Sequence, residues 1–140
     1  MSSPTLEAAA NSKAKLWAGR ILTTLVVIFT IFDGVAKLLE LPQVRAASAQ
    51  LGYSDARIFW VGVIILVCTA VYLIPRTAVL GAVLLTGYLG GAAASSFRAG
   101  NPAFETLFPI LFGVLVWAGL YPREPRLAAL IPWRTRSDGR

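Results

Sequence analysis

Histidine is absent from this 140-residue chain, cysteine occurs once as Cys68, and methionine once as Met1. These gaps remove much metal and redox chemistry. A haem needs an axial His, Met, Cys or Tyr. A zinc site needs three or four Cys, His or carboxylate ligands, and a thiol–disulfide enzyme needs a pair of cysteines. What remains is a lone Cys and scattered tyrosines, and nothing around them marks them as ligands. Cys68 sits inside an apolar run and reads as a small buried hydrophobe. Phosphate loops, nucleophile elbows and metal motifs are missing as well, so the sequence implies no metal and makes no cofactor evident.

Charge is also scarce. Only 14% of the residues are charged while 56% are hydrophobic, and the mean hydropathy is +0.67; a soluble domain carries roughly a quarter charged residues. This is a membrane composition. Four spans of about 20 residues each would use most of the chain, so one domain is expected. Acids are rarer than bases, 7 against 13, giving a net charge of +6. That excess reads as a topology signal with attraction to anionic headgroups. Nucleic-acid binding would need a soluble basic surface, and none is present.

What is there begins with Ile21 to Leu41, ILTTLVVIFTIFDGVAKLLEL. It is long enough to cross a bilayer, yet its second half holds Asp33, Gly34 and Lys37. A carboxylate facing lipid costs several kcal/mol unless it is paired, protonated or turned inward. The rest of the chain must therefore supply neighbours for it. Residues 1–12 read as disordered or loosely helical, with no apolar core before Leu16, so the first span is expected to be retained and not cleaved as a signal. Lys13, Lys15, Trp17 and Arg20 then form a basic, aromatic collar of the kind found at a membrane interface.

The expected architecture is an all-α, antiparallel, integral-membrane four-helix bundle. A flexible tail covers residues 1–15. The four-helix domain covers 16–122, with spans near 18–41, 57–74, 78–97 and 104–121. An interfacial segment and basic tail cover 123–140. Pro42 is expected to end the first span. A short interfacial helix is expected from Val44 to Leu51 with Gly52 as its cap, and Ser54 or Asp55 should cap the second span. Pro109 should kink the fourth span or split off its first turn. A surface helix over 123–133 would set Leu127, Leu130, Ile131 and Trp133 on lipid.

The pattern Gly87-x-x-x-Gly91-x-x-x-Ser95 makes a groove of small residues in which backbones can approach closely. Packing inside the bundle is the first reading of it, and a homodimer through the Gly87/Gly91 face is the second. Topology follows from a count. The N-terminus, the Pro75 turn and the C-terminus carry Lys13, Lys15, Arg20, Arg76, Arg123, Arg126, Arg134, Arg136 and Arg140; the other side carries Lys37, Arg45, Arg57 and Arg98. Both termini are therefore expected in the cytoplasm.

Ionisable groups gather at the outer end of such a bundle. Asp33 lies about 12 Å along the helix from Leu41, below the headgroups. Asp33 and Lys37 are four apart, on one face, and can pair. The plain reading is a snorkelling Lys that neutralises Asp33. The functional reading is a pocket in which Asp33, Lys37 and Arg98 are candidate catalytic residues, with Asp33 as general acid or base. Tyr53, Tyr88, Asn101 and Glu105 are then candidate substrate contacts. Arg98 alternatively serves only as a cation at a helix C-terminus.

Several local patterns together resemble the DoxX-like family of small four-helix membrane proteins. They are Phe32-Asp33-Gly34-Val35-Ala36-Lys37-Leu38, Leu73-Ile74-Pro75-Arg76-Thr77, Gly87-Tyr88-Leu89-Gly90-Gly91-Ala92, Arg98-Ala99-Gly100-Asn101-Pro102, Leu107-Phe108-Pro109 and Trp117-Ala118-Gly119-Leu120-Tyr121. The likeness covers roughly residues 18 to 133. It implies a bacterial cytoplasmic-membrane protein. The family name comes from a membrane subunit associated with thiosulfate:quinone oxidoreduction, which implies an oxidoreductase partner and quinone contact through that partner. The chain departs from the family where Asp33 replaces a usual Ser, Ile65 a frequent Glu, and Ser96 a common His. A small intramembrane isomerase, cyclase or hydrolase acting on an apolar substrate through Asp33 is the alternative, and a structural or transport bundle is a third reading. Lipid is a partner in every case.

Overall fold

The computed structural model describes residues 4–130. Regular structure among them is entirely helical: α1 Pro4–Leu38, α2 Pro42–Gln50, α3 Asp55–Leu73, α4 Ala78–Arg98, α5 Ala103–Leu120 and a single turn, α6, Leu127–Leu130. α1, α3, α4 and α5 are each long and apolar enough to cross a membrane. They form a closed ring in which α1 packs on α3 and α5, and α4 packs on α3 and α5. The diagonal pairs, α1 with α4 and α3 with α5, do not pack against each other.

The bundle is apolar outside as well as inside. Ile21, Leu25, Ile28 and Phe32 make an exposed row along α1, and Leu107, Leu111 and Val114 do the same on α5. Lipid is as apolar as these side chains, so helix association here depends on close packing and interhelical hydrogen bonds. Glycines supply the close packing. A Cβ on Gly62 would lie 2.9 Å from the Gly34 carbonyl and 2.9 Å from Lys37 Cβ, which fixes the α1–α3 seam. A Cβ on Gly19 would lie 2.9 Å from the Gly119 carbonyl, which fixes α1 on α5. Gly81 rests directly on the backbone of Tyr72 and joins α4 to α3. Phe29 of α1 stacks with Phe112 of α5 at 4.1 Å between ring centres.

The glycine pattern chosen from the sequence is not the one used. Gly87, Gly90 and Gly91 face outward, and a Cβ added at any of them would meet nothing within 4 Å, so the Gly87–Gly91 groove does not pack inside the bundle. Its face is open to the surroundings.

The core holds Val26, Ile65, Leu85, Leu89, Val116 and Leu120, with Cys68 buried among them as expected. Polar interior groups are satisfied. The Thr30 and Thr69 hydroxyls lie 2.9 Å apart between α1 and α3. The Tyr72 hydroxyl donates to the Val116 carbonyl at 2.8 Å, bridging α3 to α5 across the ring. Among the described residues, no buried side-chain nitrogen or oxygen lacks a hydrogen-bond partner.

Several boundaries differ from the sequence reading. The expected flexible tail is helical from Pro4, where alanine-rich sequence and Glu7 in the first turn favour a helix. α1 ends at Leu38 and not at Leu41. Leu41 precedes a proline and takes an extended conformation, φ −55° and ψ 139°, so Pro42 opens α2 at its first turn. α2 thus starts two residues before Val44. Pro109 is held inside a continuous α5 and splits nothing off. Of the surface helix expected over 123–133, only the turn α6 is helical among the described residues, and Leu127 is buried in the core cluster instead of facing lipid. Ile131, Trp133 and the basic tail of 134–140 lie outside the described residues.

Candidate functional site

Three chain reversals frame one end of the bundle. α1, α2 and α4 each finish with a residue in the left-handed region: Glu40 at φ 51°, Gly52 at φ 83° and Gly100 at φ 73°. Each is followed by an N–H that reaches back five residues, from Leu41 to Ala36, Tyr53 to Ser48, and Asn101 to Ser96. These bonds satisfy helix-end carbonyls and turn the chain sharply. They bring the end of α1, the α2–α3 loop and the α4–α5 turn to the same place.

Asp33 lies beneath these turns. Its carboxylate pairs with the Lys37 ammonium one helical turn later, and the two side chains are 28% and 15% exposed, so neither is bathed in solvent. The Tyr88 hydroxyl of α4 donates to the same Asp33 Oδ2 at 3.3 Å. A charge at this depth needs such partners, since an uncompensated one costs several kcal/mol. The seam of Gly34 and Gly62 sets Lys37 against α3 and so aims the pair inward.

Two hollows flank this cluster. The smaller, about 120 Å³, is bordered by Lys37, Tyr88, Tyr53, Ser48 and Ser95 over an apolar floor that includes Ile58 and Val61. The Tyr53 hydroxyl lies 3.1 Å from Ser95 Oγ and ties the loop to α4. The larger, about 460 Å³, is bordered by Asp33, Gln50, Ser96, Asn101 and Glu105, with Phe104 and Phe108 beside them. Leu51 borders both. The Asp33–Lys37–Tyr88 cluster therefore stands between the two.

Chemically, the arrangement offers a carboxylate, an ammonium and a phenol within hydrogen-bond reach of one another, beside space for a small molecule. It can hold a polar head and exchange a proton with it. Among the described residues, no group of three or more His, Cys, Asp or Glu is placed to hold a metal ion.

The structure brings together Asp33, Lys37 and Tyr88, with Tyr53 on the smaller hollow and Asn101 and Glu105 on the larger. Arg98 is not brought in. It is exposed, its Nη2 donates to the Leu51 carbonyl at 3.4 Å, and it borders neither hollow. Arg98 emerges after the last turn of α4, where its long side chain turns over the loop. It holds the loop that covers the site.

Ser48, Ser95, Ser96, Gln50 and Leu51 were not among the candidate site residues, although Ser95 was read as part of the small-residue groove and Ser96 as a departure from the family pattern. One signal for Ser95 was present: Tyr88, Ala92 and Ser95 recur at helical spacing on one face. Ile65, at the position of the missing Glu, is wholly buried in the core, whereas Ser96, at the position of the missing His, borders the larger hollow.

α2 covers this end. Arg45 of α2 pairs with Asp55 at the start of α3. The Arg45 guanidinium is held above its usual range by its bond to Asp55 and then by the opposite charge of that carboxylate.

Residues 21–119 match the sequence model of the DoxX-like family, most of the chain, and the chain belongs to that family. No curated protein and no solved structure matches it.

Proposed function

We propose that this DoxX-like integral membrane protein is a membrane subunit or accessory of an oxidoreductase-type assembly. The outer polar pocket around Asp33 receives the polar head of a lipid-soluble molecule, of the quinone class. Asp33 is the proton-exchanging group, Lys37 holds its charge, and Tyr88 and Tyr53 orient the head. The four spans run antiparallel in a bacterial cytoplasmic membrane, with both termini inside. The excess of basic residues at the end that carries Lys13, Lys15, Arg76 and Arg123 supports that orientation.

The observation that carries this reading is the half-buried Asp33 carboxylate, shared by Lys37 and Tyr88, at the wall between two hollows. The test is purification from native membranes at low detergent. The expected result is a redox enzyme that co-purifies, and a photoreactive quinone that labels the wild-type chain at the pocket and labels Asp33→Asn several-fold less. A chain that comes away alone, with labelling unchanged in Asp33→Asn, would sink the reading.

The second reading is an intramembrane enzyme that works by proton transfer on an apolar substrate. The Tyr88 phenol beside the Asp33 carboxylate favours it, since a paired acid and base need only such contact. It differs in one outcome: the purified chain alone, in vesicles, would turn over a substrate and lose that turnover in Asp33→Asn.

A further inference from the structure

Another hollow lies about 20 Å along α1 from Asp33, at the opposite end of the bundle. Here α1 leaves the bilayer. Its 35 residues extend about 52 Å, against a hydrocarbon core of about 30 Å. Trp17 is 63% exposed beside Lys13, Lys15 and Arg20, which marks the level of the headgroups.

The hollow, about 840 Å³, opens between this part of α1 and the segment that follows α5. Leu16, Leu22 and Ala118 give it an apolar lining, and Lys15, Arg123 and Tyr121 also border it. Among the described residues no carboxylate borders it; Glu7 and Glu124, the described acids nearest in sequence, are not among its lining residues. Arg123 is aimed by α1 itself, since its Nη1 donates to Thr23 Oγ1 at 3.3 Å. The close contact of Gly19 with the Gly119 carbonyl, and with Pro122 at 3.0 Å from a Cβ, fixes the turn that carries Arg123. Among the described residues, neither Lys15 nor Arg123 forms an ion pair with an acid.

An apolar lining with Lys15 at headgroup depth, and with the Arg123 guanidinium further in beside Thr23, suits a phospholipid with an anionic head. We infer that this hollow binds an anionic phospholipid. Its phosphate sits between Lys15 and Arg123, and its first methylenes lie on Leu16, Leu22 and Ala118. The chain's own residues 131–140 are a poor rival, because they carry three arginines against one aspartate and so repeat the charge of Lys15 and Arg123. The site is independent of the Asp33 pocket and of the assembly proposed for it.

The test is native mass spectrometry of the full chain released from micelles doped with phosphatidylglycerol or phosphatidylcholine. Phosphatidylglycerol should be retained and phosphatidylcholine shed. Lys15→Gln and Arg123→Gln should each weaken retention about fivefold, and the pair about thirtyfold. Lys13→Gln with Arg126→Gln, cations outside the hollow, should change it little. A photoreactive residue in place of Ala118 should crosslink to the lipid. The inference is overturned if both lipids are retained equally or if the control pair loses as much as the Lys15 and Arg123 pair. It is equally overturned if inorganic phosphate displaces the lipid at comparable concentration, or if Ala118 crosslinks to residues 131–140 instead. Helical circular dichroism of each variant guards against simple misfolding.

Discussion

The Tyr88 hydroxyl reaches Asp33 at 3.3 Å and joins α4 to α1, two helices that do not pack on each other. Tyr72 does the same on the other diagonal, from α3 to the Val116 carbonyl of α5 at 2.8 Å. Two tyrosines thus brace a ring of four helices along both of its diagonals. One brace ends on a carboxylate in the candidate site and the other on a backbone carbonyl in the core.

The braces should respond differently to loss of the hydroxyl. Interhelical hydrogen bonds in membranes contribute about 0.6 kcal/mol on average. Tyr72→Phe should therefore cost about 0.5–1 kcal/mol in thermal unfolding in micelles, because the Val116 carbonyl keeps its helical partner. Tyr88→Phe should cost a similar amount but also reduce quinone labelling several-fold. Equal labelling by both variants would show that Tyr88 only braces.

The seam glycines should be intolerant and the outward ones tolerant. Gly62→Ala puts a methyl 2.9 Å from the Gly34 backbone, and should cost about 1–3 kcal/mol as the α1–α3 seam is forced apart. Gly91→Ala meets nothing within 4 Å and should stabilise by up to about 1 kcal/mol through helix propensity. Gly91→Leu then tests the proposed dimer face. If crosslinked dimers form in native membranes, that variant should abolish them while the monomer stays folded.

The ends of α1 and α2 make an opposed pair. Glu40 holds a left-handed conformation at φ 51° that glycine adopts without a steric penalty. Glu40→Gly should raise stability by about 1 kcal/mol. Gly52→Ala, at φ 83°, should lower it by about the same amount and loosen the loop over the smaller hollow. Thermal unfolding of the two variants side by side decides this.

The Arg45–Asp55 anchor of α2 should be steady in pH and weak in salt. The folded guanidinium lies above its ordinary value, through its bond to Asp55 and the charge of that carboxylate. Its contribution is therefore fully present below that value and is lost only as pH climbs through the higher folded value. Between about pH 6 and about pH 9 the Arg45 side of the pair contributes no change. Salt screens exposed charges over about 10 Å at 0.1 M, so hydrogen exchange in α2 should quicken at high salt, and quicken at low salt only in Arg45→Gln.

Some of the candidate site was legible because it is local. Asp33 and Lys37 sit four residues apart on one helix, so their pairing needs nothing beyond helical spacing. Tyr53, Asn101 and Glu105 could be gathered because short turns return the chain to one end. Whether Arg98 joins the cluster was open in the sequence, because a side chain at a helix end can reach in many directions; in the structure it turns to the Leu51 carbonyl.

Length and hydropathy along the chain were enough for the class, the four apolar spans, their approximate limits and Asp33 as an acid well inside the first of them. They were enough because these two alone decide what a bilayer accepts. Tertiary structure decided how each helix is turned about its own axis. In a soluble bundle the polar face would announce that rotation. Here lipid and protein neighbours are both apolar, so the faces of α3, α4 and α5 look alike in sequence. Only packing shows that Gly34, Gly62 and Gly81 close the seams while Gly87 and Gly91 look outward, and that Tyr88 and not Arg98 shares Asp33.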